Sequence, residues 1–129
     1  MDTKAPTPAP KVYDLEERTE LFALRVRAFV KRLPRGIANF EDSKQLVRAS
    51  GSVGANYIEA NEALGAKDRA MRVRISRKEA KESRFWLRLI DTGSVAATET
   101  ERKALIQEAT ELMNILGAIL RKLEAGLSE

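Results

Sequence analysis

In four stretches of this chain apolar residues recur at alternating intervals of three and four, and nowhere do they alternate at two. That is the period of an α-helix with one buried stripe, so what must leave water is arranged for helices packed on helices. In the first stretch Phe22, Val26, Phe29 and Leu33 repeat at 4-3-4, flanked by Leu15, Leu21 and Val30. Arg18, Arg25, Lys31 and Arg32 fall on the other side and are expected to be solvated. Asp14 with Glu17 three residues on is close to a capping box, and predicts the start of a helix there. Pro34 stops it, because the residue before a proline disfavours the α region.

The second stretch is expected to begin at Asn39 as cap, with Asp42 at the third position. Gly51 and Gly54 follow in its interior, where each costs about 1 kcal/mol relative to Ala. Either the helix breaks near them or their missing side chains admit a neighbouring backbone. Leu46, Val47, Ser50, Val53, Gly54, Tyr57 and Ile58 keep the 3-4 spacing without a phase shift. The spacing therefore predicts one continuous, closely packed helix, with Gly65 as a left-handed C-terminal cap.

The fourth stretch opens on Thr98 with Glu101 at the capping-box position. Leu105, Ala109, Leu112, Leu116, Ile119 and Leu123 carry its stripe, broadened by Ile106, Met113 and Leu120, and Gly126 is expected just past its end. Short connections argue that successive helices lie side by side and reverse direction. The expected fold is all-α, an antiparallel up-down-up-down four-helix bundle over residues 13–125. Residues 1–12, with Pro at 6, 8 and 10, are expected to be a disordered tail.

The third stretch, Lys67–Ile90, has nine Lys or Arg against three Asp or Glu, so its net charge of +6 exceeds the +4 of the whole chain. On a helical pitch it shows two apolar faces. Met71, Ile75, Glu79, Glu82, Trp86 and Leu89 share one, and Val73, Ala80 and Leu87 make a narrower line. Between them Lys67, Arg74, Arg77, Lys78, Lys81, Arg84 and Arg88 form a basic arc that contains Phe85 and no acid. Most charge runs are only solvated faces, and these cations could equally neutralise acids such as Glu108 or Glu111 of a neighbouring chain. Cations interleaved with an aromatic, however, suit phosphate contact with base stacking. Likewise Val73, Ala80 and Leu87 are either ordinary core or a seam to another subunit.

Cysteine and histidine are both absent. A disulfide, a thiolate nucleophile and a Cys/His zinc site are excluded, as is an imidazole base. Glu59, Glu79 and Glu82 invite comparison with carboxylate-bridged di-metal bundles, but such sites draw on Glu-x-x-His pairs. Pairing of Glu79 and Glu82 with Arg48, Asn56 or Tyr57 is the better expectation. No metal or cofactor is expected, and no enzymatic activity. The chain lacks an apolar run of the eighteen or so residues that span a bilayer. No membrane association is expected, and a cytoplasmic location fits.

QLVRASGSVGANYIEA at Gln45–Ala60 and KEAKESRFWLRLI at Lys78–Ile90 carry a family resemblance. It reaches back through LPRGIANFEDSKQL and forward to ELMNILGAIL, covering about Leu33–Leu120. The chain resembles the small four-helix-bundle proteins encoded by intervening sequences of bacterial large-subunit ribosomal RNA genes. That family is in turn similar to the accessory variability determinant of diversity-generating retroelements. Arg69, where the family usually has an aromatic, and Ala66, where it usually has a small polar cap, depart from the pattern. The resemblance implies a homopentamer, five bundles forming a barrel-like ring with a basic surface, and it tips Val73, Ala80 and Leu87 toward the seam. For the retroelement relative it implies binding to structured nucleic acid together with a reverse transcriptase. The expected function is a non-enzymatic oligomeric scaffold binding structured RNA or DNA through the third helix, the alternative being a structural or protein-binding ring.

Overall fold

The computed structural model of the protein describes residues 14–127, and among them every regular element is an α-helix. The helices are α1 (Leu15–Val30), α2 (Ile37–Glu62), α3 (Ala66–Leu89) and α4 (Ala96–Leu127). The expected disordered tail, residues 1–12, lies outside the described residues.

Only some of the expected helix ends hold. Asp14 caps α1, its Oδ1 accepting from the Glu17 backbone N–H at 2.8 Å. The regular part of α1 stops at Val30, and two tighter turns, Arg32 N–H to Phe29 O and Leu33 N–H to Val30 O, carry the chain to Pro34. Asn39 is not a cap. Gly36 takes that position, and Asn39 is buried within the first turn of α2. Its amide donates to Pro34 O at 3.1 Å and Asp91 O at 2.8 Å and accepts from Asp91 N–H at 3.0 Å. The side chain thus ties the α1–α2 connection to the α3–α4 connection, a long-range use that local spacing does not reveal. Gly65 is extended (φ −115°) and precedes α3 rather than closing α2. The left-handed residues are instead Gly93 (φ 69°) and Ser94 (φ 61°), in the turn before α4. Thr98 is buried inside α4, which begins two residues earlier and runs on through Gly126.

α2 is continuous through both glycines. A Cβ on Gly54 would stand 2.8 Å from Thr19 Oγ1 and 3.2 Å from Thr19 Cβ, so α1 crosses α2 where the side chain is missing. Thr19 is itself held, its hydroxyl donating to Leu15 O at 2.7 Å.

Side-chain hydrogen bonds tie the neighbouring helices together. Arg69 reaches Ala63 O, Arg72 reaches Asn56, and the buried Ser76 hydroxyl donates to Val53 O at 2.6 Å, numbers rising along α3 as they fall along α2. Arg74 reaches Glu124 and Arg84 reaches Thr110 on α4. The core is built from Phe22, Val26 and Phe29 of α1, Leu46 and Val53 of α2, and Leu105, Ala109, Leu112 and Leu116 of α4. α3 contributes small residues to it: Ala70, Val73, Ser76, Ala80 and Ser83, then Leu87.

That list corrects the expected seam. Val73, Ala80 and Leu87 are 2%, 0% and 0% exposed within a single chain, so no other subunit can reach them. They are ordinary core, and the face shared by Met71, Ile75, Glu79, Glu82, Trp86 and Leu89 is the one left partly open. Met71 is 42% and Leu89 50% exposed.

Candidate nucleic-acid interface on the third helix

The basic arc is continuous on the helix but divides in three dimensions. Its α4 side rests against that helix. Arg74 pairs with Glu124 at 3.0 Å, and Arg84 donates to Thr110 Oγ1 at 3.4 Å. Arg77 lies over Gly117, where a Cβ would meet its Nε at 3.3 Å. Lys78, Lys81 and Arg88 point outward, and among the described residues none of their side chains forms an ion pair. Phe85 stands among them, 52% exposed. Lys67 is exposed in the first turn of α3, about 30 Å along the axis from Arg88 at 1.5 Å per residue.

α2 supplies what the arc alone does not show. The register that sets Ser76 beside Val53 sets Arg48 level with Lys81. Arg48, Lys78, Lys81, Glu82, Phe85 and Trp86 together line a groove of about 650 Å³ between the two helices. Arg48 is anchored by a 3.0 Å hydrogen bond to Gln45 Oε1 and, among the described residues, makes no ion pair. Phe85 and Trp86 meet edge to face, ring centroids 5.1 Å apart and planes at 73°. Arg48 stood in the sequence only as a partner for Glu79 or Glu82, and its place in a cationic groove needed the α2–α3 register.

The carboxylates do not gather. Glu59 is exposed on α2, and among the described residues no three acidic, His or Cys side chains are arranged to hold a metal. Glu79 has one oxygen, Oε2, enclosed without a hydrogen-bond partner. Burial pushes its carboxyl above the ordinary value, and Glu82 pushes the same way, while Arg48 and Lys78 oppose them. The expected pairing with Arg48 is therefore electrostatic, without a hydrogen bond.

Two cations expected to be solvated on α1 are also used inside the chain. Arg18 forks onto both oxygens of Glu108 at 2.8 Å and also reaches Glu111 at 3.1 Å. Arg25 pairs with Glu101 at 3.1 Å. Glu108 and Glu111 thus have partners in their own chain, which weakens the idea that they neutralise a neighbour's arc. Lys78, Lys81, Arg88 and Arg48, by contrast, form no such pair among the described residues and lie together on one side of α3. No helix among the described residues is long and apolar enough to cross a membrane.

Comparison with known proteins agrees with this architecture. The family model described as 23S rRNA-intervening sequence protein matches residues 12–118. The chain is also similar to a crystal structure from Bacteroides thetaiotaomicron, described as a protein with unknown function from the S23 ribosomal protein family. The two are 26% identical, the match covers 83% of this chain and 98% of the other, and the TM-score is 0.70. No curated protein matches the chain.

Proposed function

This chain belongs to the 23S rRNA-intervening sequence protein family, and we propose that it is a non-enzymatic, self-associating scaffold that binds structured RNA or DNA through the outward cations of α3. One observation carries the reading. Arg18, Arg25, Arg74 and Arg102 are each neutralised by a carboxylate of the chain, whereas Lys78, Lys81 and Arg88 are not and surround an exposed Phe85. Cations without internal partners can neutralise phosphates, and so release the counterions condensed on a nucleic acid, at no cost to the fold. The counter-running contacts between helices support an up-down-up-down course, which leaves the whole outer side of α3 available.

Self-association into a ring of five, implied by the family resemblance, is part of the proposal, with a different contact from the buried line first expected. Ile37 is 86% and Phe40 63% exposed at the start of α2. Phe40 borders an apolar groove lined also by Val30, Leu33, Pro34 and Val47. Exposed apolar groups beside an apolar groove suit a contact between copies, and a head-to-tail contact that closes gives a ring.

The test compares two variants on one structured RNA. Lys78→Ala with Lys81→Ala and Arg88→Ala should weaken binding at least tenfold, because each removes a phosphate contact. Arg74→Ala, whose charge Glu124 already cancels, should change it by less than about twofold. Equal effects of both variants would show that the internal pairing does not govern the surface. No effect of the triple variant would leave the structural, protein-binding ring as the better reading.

A further inference from the structure

The outward cations do not face a flat surface. The groove of about 650 Å³ between α2 and α3 has cations from both helices and an aromatic pair in its lining. We propose that this groove is a site for one unpaired nucleotide of a single strand, its base against Phe85 and Trp86 and its phosphate on Lys78, Lys81 and Arg48. The inference rests on the nucleic-acid reading above and narrows it, from a charged helix that meets a backbone to a pocket that takes a flipped-out or unpaired base.

Size permits it, since pockets for small molecules run from about 300 to 1,000 Å³. The aromatic geometry favours it. Two rings at 73° leave each with a face that the other does not cover, and any base can stack on such a face regardless of sequence. Charge decides the orientation of the nucleotide. Lys78 and Lys81 are exposed, whereas Glu82 is half-buried, one helical turn from Trp86 in the same lining. A phosphate is repelled from Glu82 and held by the lysines, which leaves the base to the rings. A paired base cannot enter, because both of its faces are already stacked within the helix. The groove thus selects unpaired positions, while Arg88 and Lys67 along the same helix remain indifferent to pairing.

Trp86 is the chain's single tryptophan, so its fluorescence reports on this groove directly. Three probes are titrated: an eight-residue oligouridine, a base-free polyphosphate of the same charge, and the structured RNA used above. The oligouridine should quench Trp86, and the polyphosphate should bind without quenching. Phe85→Ala should weaken the oligouridine by roughly 5- to 100-fold, the range for losing one stacked base, and leave polyphosphate affinity and helicity unchanged. Phe85 is half exposed, so its removal leaves the core intact. Arg48→Ala should weaken both probes. If oligouridine binds without quenching, or Phe85→Ala leaves its affinity within about twofold, the groove is not the site, although the cationic surface stands. If the wild-type protein retains neither the oligouridine nor the structured RNA, the groove and the broader reading fall together.

Discussion

Glu79 is held against its own charge. Its carboxyl is raised by burial first and by Glu82 second, with Arg48 and Lys78 offsetting part of the effect. A carboxyl whose folded-state pKa is raised contributes stability that is complete below its unfolded pKa and lost as pH rises through the folded one. Glu79→Gln should therefore stabilise the protein near neutral pH, by less than about 1 kcal/mol because the group is partly solvated. The gain should vanish in acid. Urea denaturation at pH 7 and at pH 4 checks both halves. Gly54 makes the opposite case. Ala is the better helix former by about 1 kcal/mol, but its Cβ would press on Thr19 at 2.8 Å. Gly54→Ala should destabilise by about 1–3 kcal/mol through overpacking, and a rise in the thermal midpoint would contradict it. The sequence showed the Gly54 contact because the apolar phase ran through the glycine unbroken. It could not show Asn39, whose partners Pro34 and Asp91 are set by how two connections meet in space.

At the scale of the helix, the two apolar faces of α3 were both legible and their roles were exchanged. Size misled: the face with Met71, Trp86 and Leu89 holds the larger side chains, yet the bundle buries the face with Ala70, Ser76, Ala80 and Ser83. Small residues let α2 and α4 approach closely, and the two serines satisfy their hydroxyls on Val53 O and Glu79 O. Leu87→Ala should accordingly cost about 2–5 kcal/mol, as a fully buried leucine does, and Leu87→Asp should unfold the chain rather than dissociate an assembly. Circular dichroism distinguishes the two outcomes for Leu87→Asp. α1 is tied to α4 by Arg18 on Glu108 and Glu111 and by Arg25 on Glu101. A hydrogen bond from Gln107, and then one from Arg18, hold the Glu111 carboxyl below its ordinary value of 4.5. Stability from such a group is present above the unfolded pKa and lost as pH falls through the lower folded one. Below about pH 4 the amides of α1 should exchange with solvent sooner than those of α3. Uniform loss of protection across the bundle would contradict this attachment.

Across the whole molecule, the helix count, the main apolar stripes and the excess of charge on α3 were legible, because each repeats along a local period. How many cations remain open was not, since Glu124, Thr110 and Gly117 take up the α4 side only through the tertiary fold. Nor was the exposure of Ile37 and Phe40, proposed as the contact between copies in place of the buried line first expected. Phe40→Glu should lower the mass in sedimentation equilibrium to that of smaller species while helicity is kept, and an unchanged mass would exclude this contact. The central claim is that phosphate contact falls to the unpaired cations that surround Phe85 and line the α2–α3 groove: Lys78, Lys81, Arg88 and Arg48. The most direct measurement is the salt dependence of binding to a structured RNA. With about 0.7 to 0.9 in the slope of log K against log salt per neutralised phosphate, the wild-type protein should show a slope of at least roughly −3. Lys78→Ala, Lys81→Ala and Arg88→Ala together should flatten it by about 2 to 3. A slope near zero, or one that the three substitutions leave as steep as before, would contradict the account.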